Sequence, residues 1–211
     1  MERLQSQIEF LLICDRLKSV ARTTYLHDAS RPENSAEHSW HLTLMALTLE
    51  EYAPAGTVVS HAVNMLIVHD LVEIYAGDTY FGADQTTLER QHAQEERAAS
   101  ALFSSLPSGQ GETFRALWDE FEAHHSPSAL YARALDALQP LLLTWGEGGQ
   151  GCSERGLDLT ARRILRLKEA SLYPVPALWE LAQRLVRAAV AAGIMPTEQA
   201  ALPGRPFNAE G

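Results

Sequence analysis

The 211-residue chain predicts an all-α fold, and three observations carry that expectation. Ala and Leu contribute 30 residues each whereas Val and Ile together supply 15, and β-branched side chains are what strands prefer. Apolar residues recur at helical intervals along most of the chain. Proline and glycine mostly fall between these stretches, where they act as boundaries. With 46% apolar residues the chain is long enough for one sizeable core and too short for two, so a single domain is expected.

Leu4, Ile8, Leu11, Leu12 and Leu17 predict an amphipathic helix from Glu2 to about Val20. A polar connection from Arg22 to Asn34 follows, with Ser35 as candidate cap of a second helix running to about Tyr52. After Pro54 and Gly56, the stretch from Val58 to Tyr75 leaves almost no polar face, as in a central buried helix. Gly77-Asp78 ends it, and a loop to about Gln85 leads to a charged amphipathic helix, Thr87 to Leu106, stopped by Pro107. Helices are then predicted at Thr113 to Ala123, Ser128 to Thr144, Asp158 to Ser171 and, after Pro174 and Pro176, Ala177 to Ala192. The run Gly146 to Gly151 reads as a flexible surface loop, because it lacks the Lys-Ser/Thr ending of a phosphate cradle and no strand precedes it. The domain is expected to span residues 1–195, with 196–211 a loose tail of low apolar content.

Twenty-seven acids against 17 bases give a formal charge of -10, which argues against a nucleic-acid polymer as partner. A small anionic ligand needs only one or two local cations. The two cysteines, Cys14 and Cys152, stand outside any paired metal spacing and suit a reducing cytoplasm. No apolar run approaches the ~18 residues of a membrane span, and no signal peptide is indicated, so a cytoplasmic protein is expected.

The feature that needs explaining is His69-Asp70 with Glu73, three ionisable side chains in the most apolar helix of the chain. Burying charge without partners is costly. On a continuous helix His69 and Glu73 share a face and Asp70 lies about 100° round, so all three can edge one site. A divalent cation would offset two carboxylates and use a neutral imidazole as ligand. His38, at the start of the second helix, and Asp136, an acid within another apolar stretch, fit as further ligands. Each residue alone has a blander explanation as hydrogen-bonded core; the constellation is what counts.

At this point the sequence resembles the HD-domain metal-dependent phosphohydrolases, and among them the group of the bacterial 5'-deoxynucleotidases. The resemblance rests on Leu17-Lys18-x-x-x-Arg22-Thr23, Pro32-Glu33-x-x-Ala36-Glu37-His38-Ser39-Trp40, His69-Asp70-Leu71-x-Glu73-x-x-x-Gly77-Asp78, Trp118-x-Glu120-Phe121-Glu122-Ala123 and Ala134-Leu135-Asp136-x-Leu138-Gln139-Pro140, spread over roughly Glu9 to Met195. It implies a single HD-domain helical bundle in which His38, His69, Asp70 and Asp136 hold one divalent metal ion (Mn, Co, Mg, Zn, Ni or Fe). It further implies that Glu73 and Asp70 serve catalysis, Glu73 by orienting or deprotonating water, that Arg22 grips phosphate and that Asp78 accepts a sugar hydroxyl. Glu37 and Ser39 would support His38, the substrate would be a small phosphorylated molecule such as a nucleoside 5'-monophosphate, and relatives suggest a homodimer. A tryptophan follows the phosphate-binding arginine in the bacterial enzymes; here Thr23 follows, and the loop after Asp78 supplies no lysine.

Several other residues stand near the same motifs. His41 lies one turn after His38, His61 two turns before His69, and His124-His125 form a doublet in a connecting loop. His92 falls in a charged run expected to be solvated, with Glu96 as a candidate to approach the pocket. Trp118, Phe121, Trp145 and Trp179 are expected in the core or a subunit contact. Rival functions are hydrolysis of an alarmone or nucleoside triphosphate, disfavoured by the few basic residues near the motifs, a non-catalytic nucleotide-binding module, and a di-iron oxygenase requiring two metals.

Overall fold

The computed structural model describes residues 1–79, 82, 84–151 and 159–196. Cys152, the expected helix start at Asp158 and the expected tail from 197 onward lie outside the described residues. The fold is all-α with one small hairpin. Helix α1 (Glu2–Cys14) passes through a 3-10 turn (Asp15–Ser19) into strands β1 (Ala21–Tyr25) and β2 (Pro32–Asn34), then α2 (Ser35–Thr48). The chain continues through α3 (Val59–Val68), a 3-10 turn (His69–Val72), α4 (Glu73–Ala76), α5 (Gln85–Phe103), α6 (Gln110–Ala123), α7 (Pro127–Trp145), α8 (Ala161–Leu172) and α9 (Pro176–Ala191).

Helices α1 and α2 end earlier than expected, each giving way to a 3-10 turn, Asp15–Ser19 and Glu50–Tyr52, and two further differences bear on the site. The polar connection contains an antiparallel hairpin, pairing Ala21 with Asn34 and Tyr25 with Pro32 around an irregularity. The long apolar helix is not continuous, for it tightens to 3-10 winding at His69 before α4 begins at Glu73. The helical periodicity that placed His69, Asp70 and Glu73 around one cylinder therefore does not apply across this junction. Gly77, at φ +75°, supplies the left-handed residue that ends α4.

Helix α7 is the axis of the bundle and packs against α2, α3, α6, α8, α9 and β1. Its Leu135, Leu138 and Leu141 are fully buried, each contributing about 1.5–3 kcal/mol of apolar burial. A second cluster joins Phe10 of α1, Val68 of α3, Leu102 and Phe103 of α5 and Trp118 of α6. The site lies where these two clusters meet, so its side chains are held by packed helices. Trp118, Phe121 and Trp145 are buried as expected, and Trp179 is partly buried against the main core. Among the described residues no helix is long and apolar enough to cross a membrane.

A candidate metal centre and its cavity

The N-terminus of α2 is fixed by a capping box: Asn34 accepts from the Glu37 N–H while Glu37 accepts from the Asn34 N–H. Asn34, not Ser35, is the cap, and this frees Ser35 to donate its hydroxyl to Glu73 Oε2 at 2.5 Å. Glu37 also takes both guanidinium nitrogens of Arg31, at 2.7 and 2.8 Å. Glu37 thus anchors the helix start rather than supporting His38. Glu33 has the place beside His38: it is buried, its Oε2 lies 3.4 Å from His38 Nδ1, and its Oε1 accepts from Gln139 Nε2 at 2.6 Å.

One turn into α2, His38 is buried and its Nε2 lies 3.0 Å from Asp136 Oδ1. At the α3 junction, His69 is buried and its Nδ1 pairs with the Leu66 carbonyl at 2.9 Å, which leaves Nε2 as the lone-pair nitrogen. That Nε2 is 3.0 Å from Asp70 Oδ1 but has no hydrogen-bond partner among the described residues. His38, His69 and Asp136 each present a ligand atom within 4.8 Å of the others. Asp70 adjoins them, its Oδ2 3.9 Å from His38 Nε2. On α7, which runs unbroken through Pro140, that proline lacks the N–H that would bond the Asp136 carbonyl one turn back, so one rung of the helix is missing beside this acid.

Arg22, on β1, reaches into the same region. Its Nη1 donates to Asp70 Oδ2 at 2.9 Å and lies 3.8 Å from Glu73 Oε1, and its Nε is 3.8 Å from Glu33 Oε2. These groups open onto a cavity of about 410 Å³ that includes Asp78 and Thr79 after α4, Glu95 on α5, Glu122 on α6 and Lys168 on α8.

Burial governs the ionisation of these groups. It lowers the His69 pKa, favouring the neutral imidazole a metal requires. For His38, burial is outweighed by its bonds to Asp136 and Glu33 and by the Asp70 charge, and its pKa rises. Burial also works against the Asp136 carboxylate, yet the His38 bond and the Arg133 charge hold it well below the usual range. Glu73 is pushed well above the usual range by burial and then by the Asp70 charge, and Asp78 is raised by burial against the opposing pull of Arg22.

The donor set fits a divalent cation. Two imidazoles and a carboxylate converge, one imidazole nitrogen is buried with its lone pair unanswered, and its far nitrogen is fixed by a backbone carbonyl. All the candidate residues, His38, His69, Asp70, Glu73, Asp78, Asp136 and Arg22, are therefore brought to one place.

The other candidates divide. His41 contacts Gln139 Nε2 at 3.3 Å, and His61 pairs with Glu120 at 2.7 Å; neither lines the cavity. His92 is exposed at the cavity rim. Glu96 pairs with Arg115 at 2.8 Å instead of entering, and it is Glu95 that lines the cavity. His124 is partly buried with its ring facing Phe121, and His125 is exposed.

A family model described as HD domain matches residues 14–171 of the chain. This protein belongs to the HD-domain family. Curated relatives of the HD-domain chain are 5'-deoxynucleotidase HDDC2 of Homo sapiens, 28% identical over 139 residues, and of Bos taurus, 30% identical over 137 residues. These alignments cover 65% and 64% of this chain, and 66% and 64% of the relatives, just under two thirds of their length. The crystal structure of a predicted metal-dependent phosphohydrolase from Magnetospirillum magnetotacticum MS-1 superposes with a TM-score of 0.81 at 38% identity, covering 92% of this chain and 99% of that one.

Proposed function

We propose that this HD-domain protein is a metal-dependent phosphohydrolase that releases phosphate from nucleoside 5'-monophosphates, deoxynucleotides among them. The observation that carries this reading is the convergence of His38, His69 and Asp136 beside Asp70, Glu73 and Arg22 in one cavity. The names of its relatives point the same way.

His38, His69, Asp70 and Asp136 would hold one divalent ion drawn from Mn, Co, Mg, Zn, Ni or Fe. A cation there supplies Lewis acidity toward a phosphoryl oxygen and toward water. Arg22 offers its guanidinium to the phosphate, and its ties to Asp70 and Glu73 fix the direction of approach. Glu73, with one carboxylate oxygen held by Ser35, orients a water and takes its proton as the water attacks phosphorus. The bond from phosphorus to the sugar oxygen breaks, and that oxygen takes up a proton from solvent and leaves as the 5'-hydroxyl, while the proton held by Glu73 returns to solvent. Asp78, whose carboxylate accepts from the Thr23 backbone N–H, receives a sugar hydroxyl.

The chain acts as a homodimer in this reading. Trp40, Leu44 and Leu47 form one stripe on α2 at 66%, 47% and 59% exposure, an apolar face that a second copy would cover.

The test is a panel of ribo- and deoxyribonucleotides assayed with protein stripped of metal and resupplied with Mn, Co, Mg or Zn. Both sugars belong in the panel because Thr23 follows Arg22. Metal-stimulated phosphate release from at least one monophosphate is expected; none across the panel would overturn the reading.

A further inference from the structure

Arg133 lies one turn before Asp136 on α7 and lines the cavity, although it stands outside the motifs that mark the site. Its Nη1 is 3.5 Å from Asp136 Oδ2, at the outer limit of a hydrogen bond, and among the described residues Asp136 is the only carboxylate that meets it. Its Nε is buried and has no hydrogen-bond partner there. The guanidinium is held instead by a ring. Its carbon stands 5.1 Å over the centre of Phe121, whose own ring centre is 4.8 Å from that of His69. A contact with the face of a ring uses none of the five N–H donors, so the group is oriented while most of its hydrogen-bonding capacity stays unspent.

A series of contacts joins this residue to the phosphate arm of the site. It runs from Arg22 to Asp70 at 2.9 Å, from Asp70 to His38 at 3.9 Å, from His38 to Asp136 at 3.0 Å and from Asp136 to Arg133 at 3.5 Å. A guanidinium therefore stands at each end of the ligand cluster, and the two ends differ in how far they are matched. Arg22 has a close bond to Asp70, with Glu73 and Glu33 at 3.8 Å. Arg133 has one long contact. Glu122 and Glu95 also line the cavity and feel the Arg133 charge, but burial outweighs that pull and raises both, which weakens them as competitors for the guanidinium. A phosphoryl group suits the free donors, because two of its oxygens match the planar fork and attack at phosphorus spreads charge over them.

We propose that Arg133 is a second phosphate-binding residue, its guanidinium donating to the same scissile phosphoryl group that Arg22 grips. This rests on the monophosphate reading and adds a contact from α7 to it.

The experiment compares Mn-loaded wild type, Arg133→Gln and Arg133→Lys. It reads kcat and KM for the monophosphate used best, calorimetric binding of inorganic phosphate and of the parent nucleoside, and Mn affinity by equilibrium dialysis. In Arg133→Gln, kcat/KM should fall about 100-fold, the scale for losing one preorganised donor. Inorganic phosphate should bind at least about tenfold more weakly, as for a lost charged hydrogen bond, with nucleoside binding unchanged. Arg133→Lys should recover part of both losses, since it keeps the charge and loses the fork. Mn affinity separates a phosphate contact from a brace on Asp136. Removing a cation beside the ligand cluster leaves that affinity equal or higher, whereas losing a brace lowers it about 10–100-fold.

Unchanged phosphate binding in Arg133→Gln would overturn the proposal, as would a wild type that binds no phosphate. Mn affinity lowered tenfold or more would overturn it by making Arg133 a support for Asp136, and an equal loss of nucleoside binding by moving the contact to the sugar or base. If Arg133→Gln does not fold, Arg133→Lys decides, with weaker phosphate binding at unchanged Mn affinity expected and wild-type phosphate binding overturning the proposal. Phosphate binding weakened in Arg133→Gln, together with no phosphate release from any nucleotide by the wild type, would uphold the contact and overturn the hydrolase reading instead.

Discussion

The Ser35 hydroxyl donates to Glu73 Oε2 at 2.5 Å, tying the first turn of α2 to the acid after the 3-10 turn. The bond favours the charged carboxylate in a place where burial and Asp70 both favour the protonated acid. Ser35→Ala should therefore raise the Glu73 pKa further. Because the carboxylate form is the one that handles water, the acid limb of the pH–rate profile should move to higher pH. A bond of this type is worth about 1.5–3 kcal/mol, so kcat/KM near neutrality should fall roughly tenfold or more. Metal content measured alongside should not change.

Asp136→Ala removes a candidate ligand and the partner of His38 Nε2 together. Metal affinity should drop by at least about 100-fold, the upper range seen even for groups that only support a ligand. The metal-free variant should also melt at a lower temperature than the metal-free wild type, because a buried imidazole loses its carboxylate. Elemental analysis and thermal denaturation give the two readouts. Full metal occupancy in the variant would remove Asp136 from the ligand set.

Arg22→Ala should reduce kcat/KM by roughly 100-fold or more, as expected when a preorganised donor to a phosphoryl group is removed. Metal content should stay normal. Arg22→Lys should recover only part of the loss, since a point charge replaces a two-pronged donor. Wild-type activity in Arg22→Ala on every substrate would end its assignment to phosphate.

Trp40→Glu combined with Leu44→Glu places two charges in the exposed stripe of α2. Light scattering should show the doubled chain mass of the wild type replaced by a single one, with the helical circular dichroism retained. A wild type of single chain mass would withdraw the homodimer.

The helices were legible because their apolar spacing is regular, and α7 was placed within one residue at each end. The hairpin was not, since Ala21–Tyr25 is short, polar and lacks an alternating apolar face. Nor was the break at His69: the apolar run continues across it, and hydrophobicity alone does not distinguish α from 3-10 winding. Within the site, His69, Asp70, Glu73 and Asp136 stand out as charge or imidazole set in apolar stretches, whereas His38, between Glu37 and Ser39, is marked only by its fit to the constellation. Glu33 does not stand out, because it lies in a polar connection where an acid looks solvated, and only the fold shows it buried against Gln139. Lys168 was hidden for a related reason, as its neighbours Arg162, Arg163, Arg166 and Glu169 give α8 the look of a solvent-facing helix.

The tightened turn at His69 sets limits on how the gene can drift. One codon inserted between Val59 and Val68 would rotate everything beyond it by about 100° relative to α2 and α7, swinging the His69 ring away from Asp136 while leaving the apolar character of the segment intact. Length variation between homologous genes should therefore be absent from this segment and collect instead in surface connections such as Gly146–Gly151, where no ligand position depends on helical phase.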